Sequence, residues 1–331
     1  MGASRIAVWK MLFPDKYDLE AFEALFGEEL DSWFSAGLAC CDACFEEYAR
    51  VWPGLTASVE FQSSSTPLSV FYGGSDLQEV YSEGEFEAMC REMGCPHCGR
   101  PLDANIWLFE PRFYIPKTLV PQIKEIEAIA ESTPFLLLTH PLAERVSSEL
   151  ESLAARTPLR RMAEVFSRAR EIGTPHERGE FLPPPKSKCR EGRYNHAGKP
   201  VLYLASSHKV AFMEVGEPER GVLVASVSIN DPLRILDLTT EELPSDLLRA
   251  ITASSLLSAP TSGEGWDKPE YRFSRFVADC ARHAGYSAIM YPSIADASGM
   301  NLVVLAPLST WTDLMEVRDI TEHHGVPRPA K

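Results

Sequence analysis

The hydrophobic positions near the start of the chain repeat with the period of a helix. Over residues 17–34 the apolar residues lie three or four positions apart, at Leu19, Phe22, Phe26, Leu30 and Trp33. This spacing predicts a helix with one buried side. Asp18 stands where the N-cap of that helix is expected.

A second helical pattern lies in residues 140–156, "HPLAERVSSELESLAAR". Pro141 suits the first turn of a helix. Four apolar residues then fall on one face: Leu142, Val146, Leu150 and Leu153. We therefore expect residues 116–155 to form a helical connector.

From about residue 156 the pattern changes to short apolar runs, which are "PVLYLA", "GVLVASVSI", "RILDLT", "YSAIMYPS" and "NLVVLAP". They are rich in β-branched residues and are bounded by Pro, Gly and Ser, as strands are. Because short helical patterns lie between them, we expect an α+β fold. The sequence thus predicts three parts: residues 1–115, the connector 116–155 and a mixed domain over residues 156–331.

The composition and charge narrow the class of protein. The chain has 331 residues, of which 45% are hydrophobic, and its formal net charge is -15. Since no apolar stretch approaches the roughly 20 residues that span a bilayer, and no signal-peptide core is present, we expect a cytoplasmic protein without membrane contact. Residues 1–115 hold 7 Lys and Arg against 19 Asp and Glu. This acidic part is expected to repel nucleic acid.

Two C-x2-C pairs in the first part have the spacing of a metal site. They are Cys41 and Cys44 in "CDAC" and Cys95 and Cys98 in "CPHC". Four thiolates suit tetrahedral zinc, whose four-sulfur sites are structural. The alternatives are buried free thiols or disulfides.

The distance between the two pairs leaves the ligand set open. The pairs lie about 50 residues apart, so Cys40 and Cys90 compete as ligands. His97, inside the second pair, is expected to be a spacer.

One acidic residue falls on the apolar stripe of a predicted helix in "SSHKVAFMEV". Ser206 is expected to cap this helix, and Val210 and Ala211 lie four and three residues before Glu214. A carboxylate removed from water requires a partner. The candidates are Arg168, Arg170, Arg190 and Arg193. The alternative is a half-exposed glutamate at the rim of the stripe, paired with an arginine only for folding.

The stretch "GRYNHAGKPVLYLASSHKVAFMEV", residues 192–215, resembles the RES domain family, named for Arg, Glu and Ser. The family hallmark is a Gly-Arg-aromatic-Asn turn, a Leu-Tyr-Leu-Ala-like strand and a helix that ends in Glu-Val. The likeness covers roughly residues 160–306 through "FSRARE", "LPPP", "ILDLT", "YRFSRF" and "YPS". Some members also carry an N-terminal module with two cysteine knuckles.

The resemblance implies a fold similar to ADP-ribosyltransferases and cleavage of NAD, often by the toxin of a toxin–antitoxin pair. The matching motif positions are Arg168, with Arg170 as a rival, Arg193, Tyr194, Asn195, Tyr203 and Glu214. For the serine we favour Ser274 and retain Ser293. The resemblance implies that Glu214, Arg168, Ser274 and Tyr203 act in catalysis, and that Arg193, Arg170, Tyr194, Asn195 and Ser293 bind NAD.

These residue types suit the chemistry. Nicotinamide leaves NAD as a neutral group, so a fixed carboxylate beside the developing oxocarbenium ion helps, and Glu214 in a poorly solvated place would supply it. Arginine matches phosphate oxygens bidentately, which suits Arg168 and Arg193 to the diphosphate. The ring of Tyr203 would stack on nicotinamide; the alternative is a core tyrosine with a satisfied hydroxyl. For Ser274 the alternative is a helix N-cap.

Three functions remain open at this point. They are an NAD glycohydrolase or phosphorolytic relative, a protein ADP-ribosyltransferase, and a non-catalytic interaction module stabilised by zinc. For an NAD-consuming enzyme we expect restraint by an antitoxin protein or by the N-terminal module. The sequence does not decide between water and phosphate as acceptor, or the oligomeric state.

Overall fold

The structure is a computed structural model that describes residues 17–34, 38–56, 65–109, 113–116, 118–171, 177–216, 221–239, 243–260, 268–296, 298–307 and 309–323. The chain divides into two compact units, residues 1–116 and residues 117–331. The division at residues 115 and 155 that we expected stays a prediction. No helix in the described part is long and apolar enough to cross a membrane.

The first unit combines short helices with a small antiparallel sheet. Its described helices are α1 (Leu19–Phe34), α2 (Phe45–Val51), α3 (Pro53–Thr56), α4 (Leu68–Gly73) and α5 (Glu83–Met93). Its strands β1 (Leu38–Cys41), β2 (Thr66–Pro67) and β3 (Asn105–Phe109) pair in the order β1-β3-β2. We expected a helical module, and the sheet is an addition, because strands this short give no clear period of two.

Helix α1 has the buried side that its sequence predicts. Phe22 and Phe26 are fully or almost fully buried, and the Phe22 ring meets the Tyr81 ring edge-on at 5.3 Å. The Asp18 carboxylate accepts a hydrogen bond from the Ala21 N–H at 3.1 Å, which confirms the cap. The side chain of Trp33 lies outside the described residues.

The second unit holds seven described helices and a seven-stranded sheet. The helices are α6 (Leu119–Ser132), α7 (Pro141–Ala154), α8 (His208–Glu214), α9 (Asp246–Ala253), α10 (Ser255–Ser258), α11 (Arg272–His283) and α12 (Trp311–Leu314). The strands are β4 (Val165–Glu171), β5 (Leu202–Ala205), β6 (Val222–Ile229), β7 (Ile235–Asp237), β8 (Ala288–Pro292), β9 (Met300–Val304) and β10 (Met315–His323). Single 3-10 turns lie at Asp42–Cys44 and Asp76–Glu79 in the first unit, and at Pro134–Thr139, Arg178–Phe181, Lys186–Lys188 and Pro269–Tyr271 in the second. The α+β class is therefore confirmed, and all five apolar runs contain a strand.

The sheet order is β10-β6-β4-β5-β9-β8-β7, with β7 and β8 parallel and the other neighbours antiparallel. Successive side chains of a strand point to opposite faces. On one face Leu223 and Ala225 join a large apolar core. On the other face Ala169 and Val224 pack with residues of helix α8. Helix α8 therefore lies on the second face.

Strands β4 and β5 diverge in the middle of the sheet. Their only paired residues in the described part are Ser167 and Ala205. Beyond that pair, the Arg168 Nη1 donates to the main-chain oxygen of Tyr203 at 2.8 Å. A buried guanidinium thus satisfies a main-chain oxygen that the two strands would otherwise satisfy by pairing.

Candidate functional site

Glu214 is the last residue of helix α8, and its carboxylate is exposed. Its Oε1 accepts two hydrogen bonds, from the Ser293 hydroxyl at 2.6 Å and from the Asn301 Nδ2 at 2.7 Å. Within the described residues it forms no ion pair. The expected sequestered glutamate clamped by arginines is therefore wrong: the charge is exposed and is held by a hydroxyl and an amide.

The short length of helix α8 explains this exposure. Val210 and Ala211 are buried, as the stripe predicts. The helix ends at Glu214, one turn later, so the carboxylate lies at the edge of the packed surface. The cap is also one residue later than expected, because the Ser207 hydroxyl accepts from the Val210 N–H, whereas Ser206 bonds to Met300.

Ser293 and Asn301 reach Glu214 from neighbouring strands. Ser293 directly follows strand β8, and Asn301 in β9 pairs with Tyr291 of β8. Both donors are buried, with exposed fractions of 6% and 5%. They bind the same carboxylate oxygen, so Oε2 has no hydrogen bond within the described residues. One oxygen of Glu214 is fixed and the other remains available.

Our sequence analysis missed Asn301. The signal was present in "NLVVLAP", where one amide side chain opens an apolar strand. A buried amide requires hydrogen-bond partners, and here the partner is Glu214. The amide became recognisable as a site residue only once the strand pairing placed it beside that carboxylate.

Tyr194, Tyr203 and Tyr291 form a group of neighbouring tyrosines, and Tyr291 lies within electrostatic range of the Glu214 carboxylate. The rings of Tyr194 and Tyr291 lie 4.7 Å apart between centroids. Burial raises the pKa of Tyr203 and of Tyr194. Burial also raises the pKa of Tyr291, as do the neighbouring Tyr203, Tyr194 and Glu214, while Arg193 opposes the rise. All three phenols are therefore neutral, and Tyr291 lies within electrostatic range of both Glu214 and Arg193.

The hydroxyl of Tyr203 belongs to a closed network under the Gly-Arg-aromatic-Asn turn. It donates to the Asn195 Oδ1 at 3.0 Å and accepts from the Tyr194 N–H at 2.9 Å. The Asn195 Nδ2 donates to the Arg190 oxygen at 2.8 Å. A Cβ at Gly192 would lie 2.5 Å from the Asn195 Oδ1 and 2.8 Å from the Tyr203 hydroxyl. Only glycine therefore fits at this position.

Arg193 and Ser274 are brought together, but at a distance from the Glu214 contacts. The Arg193 guanidinium donates to the main-chain oxygens of Leu257 and Ala259, and it lies 4.4 Å over the Tyr271 ring. Ser274 is fully buried, and its hydroxyl donates to the Arg193 oxygen at 2.6 Å. The alternative of a helix N-cap at Ser274 is wrong, because helix α11 begins at Arg272 and its N-cap is Tyr271. The geometry favours Ser293, not Ser274, as the serine that contacts Glu214.

Arg168 and Arg170 lie on the sheet face opposite helix α8. Their register partners are Ala225 and Leu223. Both guanidinium groups donate to the main-chain oxygen of Leu182. Burial and the neighbouring Arg170 lower the pKa of Arg168, and its buried Nε has no hydrogen-bond partner. Neither arginine forms an ion pair within the described residues.

The four cysteines of the two C-x2-C pairs converge in the first unit. Three sulfur–sulfur distances are 3.6 Å for Cys41 and Cys44, 3.8 Å for Cys41 and Cys98, and 3.7 Å for Cys44 and Cys95. A tetrahedron with metal–sulfur bonds of about 2.3 Å has sulfurs about 3.8 Å apart. The spacing therefore fits one tetrahedral metal ion.

The surroundings of the cluster also suit thiolates that bind a cation. The Cys95 Sγ accepts from the Cys41 N–H at 3.2 Å and from the His97 N–H at 3.4 Å. Burial raises the pKa of Cys44 and of Cys95, so their thiolates require a neighbouring positive charge. The four cysteines are the group of potential metal ligands found in the described residues. Cys40 and Cys90 are buried outside it.

Comparisons with known proteins place the second unit. The family model of the RES domain matches residues 165–314. No curated protein is similar enough to match the chain. One similar solved structure is the crystal structure of the M. tuberculosis MbcT–MbcA toxin–antitoxin complex, with 18% identity over 53% of this chain and 92% of that chain. Its TM-score of 0.36 is too low for any feature of that complex to be transferred to this chain.

The matched range begins with strand β4 and ends with helix α12. It includes Glu214, Ser293, Asn301 and the three tyrosines. Residues 165–314 therefore match the RES domain family, and this matched range follows an N-terminal unit with a four-cysteine cluster.

Proposed function

We propose that this chain cleaves the bond between nicotinamide and ribose in NAD. The observation that carries the proposal is the carboxylate of the exposed residue Glu214, whose Oε1 is held by Ser293 and Asn301 while Oε2 has no hydrogen bond within the described residues. The RES domain match supports NAD as the substrate class.

Glu214 would stabilise the positive charge that develops as the bond breaks. The pyridinium of NAD leaves as neutral nicotinamide, so the leaving group needs no proton. The ribose becomes oxocarbenium-like, and a fixed carboxylate oxygen beside it lowers the barrier. The carboxylate is exposed in the free protein, so the bound dinucleotide itself would exclude water from it.

The remaining positions implied by the family resemblance stay predictions. Arg168, Arg170 and Arg193 would each have to release main-chain oxygens to bind phosphate. Of the three, Arg168 has a buried Nε without a hydrogen-bond partner in the described residues. Asn195, Tyr203 and the buried Tyr194 would act mainly by holding the turn.

The acceptor stays open between two balanced reactions. With water, NAD yields nicotinamide, ADP-ribose and a proton. With inorganic phosphate, a phosphate oxygen forms a bond to the anomeric carbon as the bond to nicotinamide breaks, and NAD yields nicotinamide and ADP-ribose 1″-phosphate. Chromatography of the products with and without phosphate separates the two.

The test of the proposal is nicotinamide release by the purified full chain. Glu214→Gln keeps an oxygen that accepts from Ser293 and Asn301 but removes the charge, so we expect kcat to fall about 100- to 1,000-fold. Glu144→Gln, at an exposed position of helix α7, is the matched control and should leave kcat unchanged. Equal turnover by wild type and Glu214→Gln would refute the proposal and favour a non-catalytic interaction module.

Protein ADP-ribosylation gives a different outcome of the same assay. With NAD labelled in the adenylate part, a transferase leaves the label on a macromolecule, and a glycohydrolase leaves it in a small product. We expect the label in the small product.

Expression of an active NAD consumer should also arrest growth, and Glu214→Gln should relieve the arrest. The cytoplasmic location and the antitoxin partner stay predictions.

For the first unit we propose a structural zinc ion bound by Cys41, Cys44, Cys95 and Cys98. The proposal rests on the sulfur distances and the buried thiols. Metal analysis of purified protein should give about one zinc ion per chain. Cys95→Ser should abolish it, while Cys90→Ser, outside the cluster, should retain it. Retained zinc in Cys95→Ser would contradict the ligand set.

A further inference from the structure

The loop that joins strands β8 and β9 is internally ordered by hydrogen bonds. Within residues 293–299, of which residue 297 is not described, the Ser293 N–H donates to the Gly299 oxygen at 2.9 Å. The Gly299 N–H donates to the Asp296 oxygen at 2.9 Å, and the Asp296 Oδ1 accepts from the Ser298 N–H at 3.0 Å. These bonds connect the beginning of the loop to its end and fix Asp296 between them.

Three contacts connect this loop to helix α8. The Ser293 hydroxyl donates to Glu214 at the end of the helix. The Lys209 Nζ lies 2.6 Å from the Asp296 Oδ2 near the beginning of the helix. A Cβ at Gly299 would lie 2.4 Å from the Val210 Cγ2, so the absence of a side chain permits this approach. The loop thus contacts both ends of helix α8.

The hydroxyl of Ser293 is oriented by the same loop. Its oxygen accepts from the N–H groups of Ala295 and Asp296, both at 3.1 Å. A hydroxyl has two acceptor lone pairs and one proton. With both lone pairs occupied, the proton is directed to Glu214. If Asp296 moves away, the hydroxyl loses an N–H partner and is free to rotate away from the carboxylate.

We propose that Lys209 and Asp296 are positioning residues, which through Ser293 hold the Glu214 carboxylate with Oε2 available to the substrate. The inference rests on the proposed function, because Glu214 is there the group that acts on NAD. Neither residue touches Glu214 directly. They act by fixing the loop that supplies one of its two hydrogen-bond donors.

The ion pair suits positioning better than overall stabilisation. The Lys209 side chain is 71% exposed, while the Asp296 side chain is 9% exposed. Because the lysine partner is largely in water, the pair contributes little to the free energy of unfolding, and substitution of Lys209 should leave the fold intact. Asn301 still donates to Glu214 after the loop is released, so we expect a partial loss of kcat, about threefold to fivefold, and no abolition.

The first test compares kinetics of nicotinamide release. Lys209→Met and Asp296→Asn should each lower kcat by about threefold to fivefold with KM for NAD changed less than about twofold. Lys188→Met, an exposed lysine without an ion pair in the described residues, is the matched control and should keep wild-type kcat. The double variant Lys209→Met with Asp296→Asn should lose no more kcat than either single variant, because both substitutions break the same ion pair. Wild-type kcat in both single variants would overturn the proposal, as would additive losses in the double variant.

The second test does not depend on catalysis. Hydrogen–deuterium exchange should show faster exchange at the Ala295 and Asp296 amides in Lys209→Met and in Ser293→Ala, and unchanged exchange in Lys188→Met. Unchanged exchange in Lys209→Met would overturn the proposal. If wild type releases no nicotinamide, the proposed function fails, while this exchange measurement still decides whether the ion pair holds the loop.

Discussion

The substitution Tyr203→Phe tests whether this tyrosine stabilises the turn or contacts the substrate. It retains the ring and removes only the hydroxyl, which donates to the Asn195 Oδ1 and accepts from the Tyr194 N–H. Both partners are buried: Tyr194 is 1% exposed and Asn195 is 3% exposed. The substitution therefore leaves two polar groups unpaired away from water.

The magnitude follows from these two groups. A buried polar group that loses its partner costs about 1–3 kcal/mol, so we expect the free energy of unfolding to fall by about 2–4 kcal/mol. We expect Tyr203→Phe to affect kcat much less than it affects the free energy of unfolding, because the ring of residue 203 is retained. Gly192→Ala should act on the same network, since its Cβ would clash with both oxygens.

Urea unfolding of the full chain, followed by circular dichroism and by tryptophan fluorescence, measures the effect. Tyr114→Phe is the matched control, because the Tyr114 side chain is 70% exposed and its hydroxyl has no partner within the described residues. A change in unfolding free energy below about 0.5 kcal/mol for Tyr203→Phe, together with a large loss of kcat, would refute the reasoning and identify the hydroxyl as a substrate contact.

Two further predictions concern the serines and the pH dependence of stability. Ser274→Ala removes the hydrogen bond to the Arg193 oxygen at a fully buried site, so it should lower the free energy of unfolding by about 1–2 kcal/mol. Ser293→Ala should mainly lower kcat. A larger loss of kcat in Ser274→Ala than in Ser293→Ala would contradict this assignment. Burial and the neighbouring His323 lower the pKa of His208, and Asp319 opposes this. The unfolded chain therefore binds a proton at His208 more readily than the folded chain does. The contribution of His208 to the free energy of unfolding is present above about pH 6.5 and is lost as the pH falls through the lower pKa of the folded state. Between pH 7.5 and pH 5 the melting temperature should fall less in His208→Gln than in wild type. Identical pH profiles of the melting temperature would contradict this prediction.

Much of the local structure followed from short-range patterns. The period of the apolar residues predicted helices α1 and α7 and the strands β5 to β9, because each pattern reflects one buried side of one element. The C-x2-C pairs likewise identified the cluster of Cys41, Cys44, Cys95 and Cys98. Strand β4 was harder to predict, since Arg168 and Arg170 interrupt its apolar run.

The position of Glu214 was only half predictable. Its place on the stripe of Val210 and Ala211 was correct, but whether a residue at the end of a short helix is buried depends on what packs against that end. Among the described residues none covers Glu214 fully, and the residue stays exposed. The sequence also offered arginines as partners, because several lie near Glu214 along the chain and carry the opposite charge.

By itself, the sequence determined the class of fold, the cysteine cluster and the RES motif that contains Glu214, since these depend on spacing along the chain. Only the tertiary structure decided the partners: Ser293 rather than Ser274 beside Glu214, Asn301 as the second donor, and main-chain oxygens for the arginines. Those contacts join residues about 80 positions apart, and the register between β8 and β9 together with the docking of helix α8 brings them within hydrogen-bonding distance.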